Sequence, residues 1–580
     1  MRLVILIFLA LIFSCEQEQQ NVLIECTSCL TTADTGMIPN DGLNDTEALK
    51  AFLAGFGGKV LQFEFPKGDQ FIIDSIEITG VDVVEIKGGR FILPPRSYDS
   101  EHAPMLTIVE AENVEFEGVV FDGGKDQNGY TWSLASGQSN QPNFLVEIQS
   151  PVTKTGLGSV RIEDCEFVNS LTSGVNIKQN NIGNNYGYLS VIVDRCIAKN
   201  TLGLSRMFGN FRQQTLSNSY QETAKETFPN SQSVGLKGMT FGSALKSNTR
   251  GIHCRVTGCT INGGMSNIFG TGSVESFIVD GLTVSNWGKH IDTEGNVFYY
   301  TSNKAENPGD EFIDSSTGFA CKLDFVQVHG GRGVVVSNST FLNSNPHYDS
   351  QSGGLGGSVW FGAGAHGKIA YCAMDYPPDI YEAETGVNSA NSFSEVIGCT
   401  IYTKNKRWQM SNMIVTDCQF YDTLVVKSGL VKYDQTYADK MNYTSSVRIR
   451  DNVTMTNCHF WGTGIEVRSD LFWLNDIYFH TSAGITLYRD NSTPYDRKIR
   501  GYIDGMYGGG IAVPYRATNK DDGSEDINTR YYLSNIHTEP KNLDVTNWLG
   551  SLPDSVGITS QIANTFTDNN DGTYTVETQY

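Results

Sequence analysis

A short phrase of alternating apolar and polar positions recurs along the chain, reading apolar-x-x-apolar-x-apolar, usually with Asn, Asp or Gly just before the fourth position. Six copies carry cysteine in that slot: Ile162-Glu-Asp-Cys165-Glu-Phe167, Val193 to Ala198 around Cys196, Val256 to Ile261 around Cys259, Val396 to Ile401 around Cys399, Val415 to Phe420 around Cys418, and Met455 to Phe460 around Cys458. Elsewhere the slot holds Leu282, Ser339, Ile477 or Ile536. The step from Cys399 to Cys418, and from Cys458 to Ile477, is about 19 residues, and from Cys418 to Cys458 about 40, read as two steps. Short alternating strands at a period near 20, separated by residues that tolerate left-handed corners, predict a solenoid. The fold class is therefore all-β, a right-handed parallel β-helix. In parallel stacking, equivalent side chains form ladders, so the cysteine slot reads as a small buried apolar site holding stacked thiols.

Asp41 to Leu49 resembles the opening of the pectate-lyase-like superfamily, in which a Gly-Asp-rich turn leads into a short helix capping the first coil. Lys50–Phe56 continues that helix, and strands begin at Gly57–Val60. The cap shields edges that would otherwise stay unpaired. The expected organisation is a signal peptide at 1–15, a linker at 16–32, the β-helix at 33–515 with loop insertions near 201–250 and 296–318, and a C-terminal cap or extension at 516–580.

The apolar run Leu3–Phe13 is too short to span a bilayer, and Ser14-Cys15 resembles the lipobox of bacterial lipoproteins. That resemblance implies export, acylation at Cys15 and attachment to the outer membrane, with secretion as the alternative. Cys26 and Cys29 form a lone CxxC, too little for a zinc site. The 580-residue chain carries a net charge of −22, which disfavours nucleic acid as a partner. A monomer is expected.

A second strand follows each phrase by eight to ten residues, among them Ser173–Lys178, Gly288–Glu294, Gly357–Phe361, Gly464–Arg468 and Gly484–Tyr488. Alternation places His290, Asp292 and Glu294 on the outer face, with Asn176, Lys178, Trp360, Glu466, Arg468 and Tyr488 on the same side. Two carboxylates flanked by bases and aromatics suit an anionic sugar chain. Residues two apart on a strand have Cα atoms about 6.6 Å apart, and splayed carboxyls there reach the roughly 6.5–9.5 Å of inverting glycosidases.

The stretch Gly281 to Asn296, together with Gly330-Gly-Arg332 and Val359-Trp-Phe-Gly-Ala-Gly-Ala-His366, is similar to the iota-carrageenase family of glycoside hydrolases. The resemblance implies Asp292 as general acid, Glu294 as general base, and His290 where the family has arginine, with His366 helping to bind substrate. The two carboxylates are exchanged relative to the family, and its ion- or water-holding glutamine falls at Phe269. Trp360, Lys178, Arg332 and Arg468 complete the expected substrate-binding set. No metal ligand is assigned, although a structural or substrate-bridging calcium or sodium ion is an option. The reading is an endo-hydrolase of a sulfated galactan. A polysaccharide lyase, with Asp292 and Glu294 holding calcium, and a non-catalytic glycan-binding surface protein are the alternatives.

Overall fold

The computed structural model describes residues 29–95, 103–124, 132–133, 138–139, 144–149, 157–169, 173–178, 188–199, 252–262, 268–285, 289–291, 297–299, 326–341, 358–362, 367–374, 378–380, 394–403, 408–421, 446–468, 471–481, 483–487, 499–512, 529–537, 563–568 and 574–579. Within them the chain is a right-handed parallel β-helix, its main sheet comprising 31 strands. Each coil supplies up to three strands. On the first face Tyr188–Asp194 pairs in parallel with Ile252–Thr257. Across a corner, on the second face, Ile197–Lys199 pairs with Thr260–Asn262. The third face carries Ser173–Lys178 beside Phe144–Gln149 and, further on, Gly464–Val467 beside Ile485–Leu487.

The corner between the first two faces explains the repeated phrase. Asp164, Arg195, Gly258, Gly281, Asn338, Tyr371, Gly398, Asp417, Asn457, Asp476, Gly505 and Asn535 all sit there with positive φ. Asn, Asp and Gly enter the left-handed region at least cost, which is why they recur before the slot. The following residue turns inward, and Cys165, Cys196, Cys259, Leu282, Ser339, Cys372, Cys399, Cys418, Cys458, Ile477, Met506 and Ile536 are all buried. The slot is more than a small apolar site. Thiols of Cys165, Cys259 and Cys418 donate to the carbonyls of Glu163, Thr257 and Thr416 at 3.2, 3.3 and 3.3 Å. The Ser339 hydroxyl does the same to Ser337 at 2.7 Å. A short donor side chain thus serves a carbonyl at the corner.

Inside, phenylalanines stack coil on coil: Phe71, Phe91, Phe121 and Phe167 at one end, and Phe420, Phe460 and Phe479 at the other. The capping helix runs from Thr46 to Gly55, with Phe52 against Phe63. Buried Asp45 ties it to the first coil by accepting from the backbone N–H groups of Ile38 and Ile72 at 2.9 and 3.3 Å. A hairpin, Ala563–Asp568 with Tyr574–Gln579, packs on the last described coil.

One expectation about the repeat needs correction. Phe420 pairs directly with Phe460, so the 40 residues from Cys418 to Cys458 are one coil with a long connection, not two steps. Cys29, read from the sequence as half of a lone CxxC, is disulfide-bonded, and its partner lies outside the described residues. The expected insertion at 201–250, most of that near 296–318, and Cys15 also lie outside them. No helix among the described residues is long and apolar enough to cross a membrane.

Candidate functional site

The third face carries a ladder of registered positions along the helix. In its middle stretch Phe269 is in register with Gln327, Gln327 with Trp360, and Trp360 with Asp379. One column thus brings an aromatic, an amide and a carboxylate position to successive strands. Trp360 was singled out from the sequence as substrate-binding; Asp379 reads there only as part of an acidic cluster with Asp375, Glu382 and Glu384, inseparable from a solvated loop, and Gln327 was not noticed. Phe269 occupies the place expected of a glutamine, and Gln327 supplies an amide on the next strand. Only the pairing reveals that neighbour, because 58 residues separate the two in the chain.

The same register moves the strand expected at Gly288–Glu294. The third-face strand of that coil is the start of Val326–Ser337, which pairs with Ile268–Asp280. Lys289–Ile291 instead pairs antiparallel with Val297–Tyr299, His290 opposite Phe298. One of its hydrogen-bonding edges is taken up by this local partner, and the two strands form a separate ribbon. Asp292, Glu294 and His366 lie outside the described residues. Asp292 and Glu294 fall in the excursion that links second-face Thr283–Ser285 to the strand bearing Gln327.

The other expected binding residues are spread along the helix. Lys178 ends a strand of the N-terminal coils, in register with Gln149. Arg332 lies on the strand Val326–Ser337, near a register shift between Thr271 and Val274 of the neighbouring strand. Arg468 belongs to coils further toward the C-terminus, where Gln409, Arg448, Glu466 and Thr486 continue the ladder.

There the chemistry is an ion-pair network. Arg448 donates to both oxygens of Glu466 at 3.1 Å, and Arg468 Nε donates to Oε1 at 2.5 Å. Glu466 points outward between inward Ile465 and Val467, yet is only 7% exposed. Burial acts to raise its carboxyl, but the two guanidiniums outweigh it and hold the group below the usual glutamate range. An acid kept ionised between two arginines is suited to fixing their positions and unsuited to donating a proton. Arg468, expected to meet substrate, is thereby anchored with its side chain 30% exposed. Among the described residues no three His, Cys, Asp or Glu side chains are grouped to hold a metal ion.

No protein-family model matches this chain, and no curated protein matches it. Solved structures do show a likeness. An exopolygalacturonase from Thermotoga maritima is 9% identical, with TM-score 0.29 over 80% of this chain and 91% of that chain. PfbA, a surface adhesin of Streptococcus pneumoniae, is 11% identical, with TM-score 0.25 over 95% and 100%. A tailspike protein of E. coli bacteriophage HK620, in complex with a pentasaccharide, is 10% identical, with TM-score 0.21 over 91% and 78%. The assignment of the fold rests on the strand pairings, not on these likenesses.

Proposed function

We propose that the protein is a glycoside hydrolase of an anionic, sulfated galactan of the iota-carrageenan type, cutting β-1,4 bonds with inversion. The observation that carries this reading is the third-face column Phe269–Gln327–Trp360–Asp379, with the Asp292 and Glu294 segment inserted directly before the strand of Gln327. Asp292 is the general acid and Glu294 the base that activates water, with His290 and His366 beside them and Trp360 as the stacking platform. Lys178, Arg332 and Arg468 meet sulfate groups on a chain lying along the helix axis. Export and an acyl anchor on Cys15 complete the proposal. They would place the enzyme, acting as a monomer, where polysaccharide is met.

The test follows reducing ends and ultraviolet absorbance together. The mature protein is incubated with iota-, kappa- and lambda-carrageenan, alginate and pectin, beside Asp292→Asn and Glu294→Gln. The expected outcome is reducing ends from iota-carrageenan without absorbance, with a fall of at least about a hundredfold in each variant. Absorbance on alginate or pectin would replace the hydrolase with a lyase.

A further inference from the structure

Along the second face the outward positions change character after Ala373. They become Thr400 and Tyr402, Gln419 and Tyr421, His459 and Trp461, Tyr478 and His480, then Tyr507 and His537. No Lys, Arg, Asp or Glu and no aliphatic side chain is among them. The rings form two adjoining columns. Tyr402 lies over Tyr421 at 5.5 Å between centroids, Tyr421 over Trp461 at 4.5 Å, and Trp461 over His480 at 4.3 Å. Beside them His459 lies over Tyr478 at 4.5 Å, Tyr478 over Tyr507 at 4.7 Å, and Tyr507 over His537 at 5.0 Å.

Within the columns ring faces are spent on one another, so what points outward is a row of edges bearing hydroxyl and N–H groups. The two ends differ. Tyr478 is opposite Tyr507, which sets exposed His480 against Gly509, where no side chain continues the column. At the other end Tyr371 occupies the corner with φ of 55° and is 65% exposed. Its ring lies on Gly398, with Cδ1 and Cε1 2.6 and 2.7 Å from where a Cβ would stand. A bulky residue in the left-handed region is a conformational outlier, and here burial does not compensate for it. Arg195, also bulky at such a corner, is held by Asp164 and Asp194.

We propose that this strip is a second carbohydrate site, separate from the third face. A polysaccharide chain lies along it, parallel to the helix axis, resting on the ring faces of Tyr371 and His480 and hydrogen-bonded to the tyrosine and imidazole edges between. Charge selects the occupant. On a body carrying −22, the described residues of the strip include no carboxylate, so an acidic glycan meets less like charge there than on the rest of the surface. Among the described residues the acids on the adjoining corner are Asp417, Asp476 and Asp504, of which Asp417 and Asp504 accept hydrogen bonds from Asn457 and Asn535 at 2.6 and 2.7 Å. The proposal draws on the polysaccharide reading above for its class of ligand, but not on its catalytic residues.

The test is affinity electrophoresis of the full chain in gels cast with iota-carrageenan, an uncharged β-galactan, or pectin. It compares the unaltered protein with Tyr371→Asn, the double variant Tyr371→Asn/His480→Gln, and Asp292→Asn. Retardation by at least one polymer is expected, weakened about tenfold by Tyr371→Asn, further in the double variant, and unchanged by Asp292→Asn. Asn is at ease at positive φ, so Tyr371→Asn should melt no lower than the parent, which separates lost binding from lost folding. Three outcomes overturn the proposal: no retardation in any gel, undiminished retardation of the double variant, or its loss in Asp292→Asn. Retardation lost only in the strip variants, from a protein that releases no reducing ends, upholds the strip while removing the hydrolase reading.

Discussion

The second face is one continuous surface built in two chemistries. In the N-terminal coils its outward positions mix ion pairs with aliphatic side chains such as Val120 and Ile197. Arg90 pairs with Asp122, which also accepts from Asn169 at 3.1 Å and the backbone of Gly124 at 2.9 Å, and Glu166 pairs with Lys199 at 2.7 Å. In the C-terminal coils the equivalent positions hold stacked rings. Inside, the two regions are alike, since both are lined by stacked phenylalanines. Parallel stacking would set like charges against each other in a column, and here Arg90 is in register with Val120 and Lys199 with Val168, each ion-pair partner lying one column over on the adjacent coil. Rings stack favourably on rings, so an aromatic column needs no such offset. The core constrains both regions equally, while the exterior of each is free to specialise.

The largest expected effect tests the shared interior. Phe121→Ala and Phe460→Ala should each cost about 3–5 kcal/mol, read from denaturant unfolding, and a marked inequality would mean the two cores are not equivalent. Next comes the contrast outside. Trp461→Ala should cost about 2 kcal/mol through lost stacking and burial, whereas Lys199→Ala, whose partner Glu166 is about one-third exposed, should cost about 0.5 kcal/mol and less in high salt. A salt-sensitive Trp461 variant would undo the distinction.

The smallest effect is confined to the aromatic region and is set by pH. His459 Nδ1 and His480 Nε2 are 3.0 Å apart in rings tilted by 10°, an arrangement that shares one proton and leaves an acceptor nitrogen neutral. Burial, then the neighbouring His480, hold the His459 pKa below the ordinary histidine value, with Asp417 opposing. The unfolded chain then binds more protons than the folded one. Stability is complete above the unfolded histidine pKa of about 6.5 and falls as pH drops through the window below it. Hydrogen exchange should show the C-terminal coils loosening first on acidification, and His459→Gln should flatten that response.

Much of the fold was legible because its punctuation is chemical: a left-handed corner followed by a buried slot leaves a phrase in the sequence. Cys372 fits that phrase, in Ile369-Ala-Tyr-Cys372-Ala-Met374, but was passed over. Met506 went unremarked as well. The aromatic strip could not be read at all. Its members are separated by irregular intervals, because coil length varies with the connections, and only pairing such as Gln419 with His459 aligns them. For the same reason Gln327 was missed beside Trp360. The strand Lys289–Ile291 has the alternation of a ladder strand, yet its partner is Val297–Tyr299, a choice between local and coil pairing that alternation does not encode.

The buried cysteines carry one further consequence. Once the helix is wound, Cys165, Cys196, Cys254, Cys259, Cys372, Cys399, Cys418 and Cys458 are free thiols shut away from solvent oxidants. Before it is wound they are eight reactive groups on one open strand of polypeptide. In an oxidising compartment the ladder would therefore be safe as an object and hazardous as a process, with winding in a race with oxidation. Any coil that closes late leaves its sulfur exposed to a neighbour's, and a single wrong bridge would bar the register from forming. A protein built this way depends on the speed with which its coils close as much as on the stability they reach.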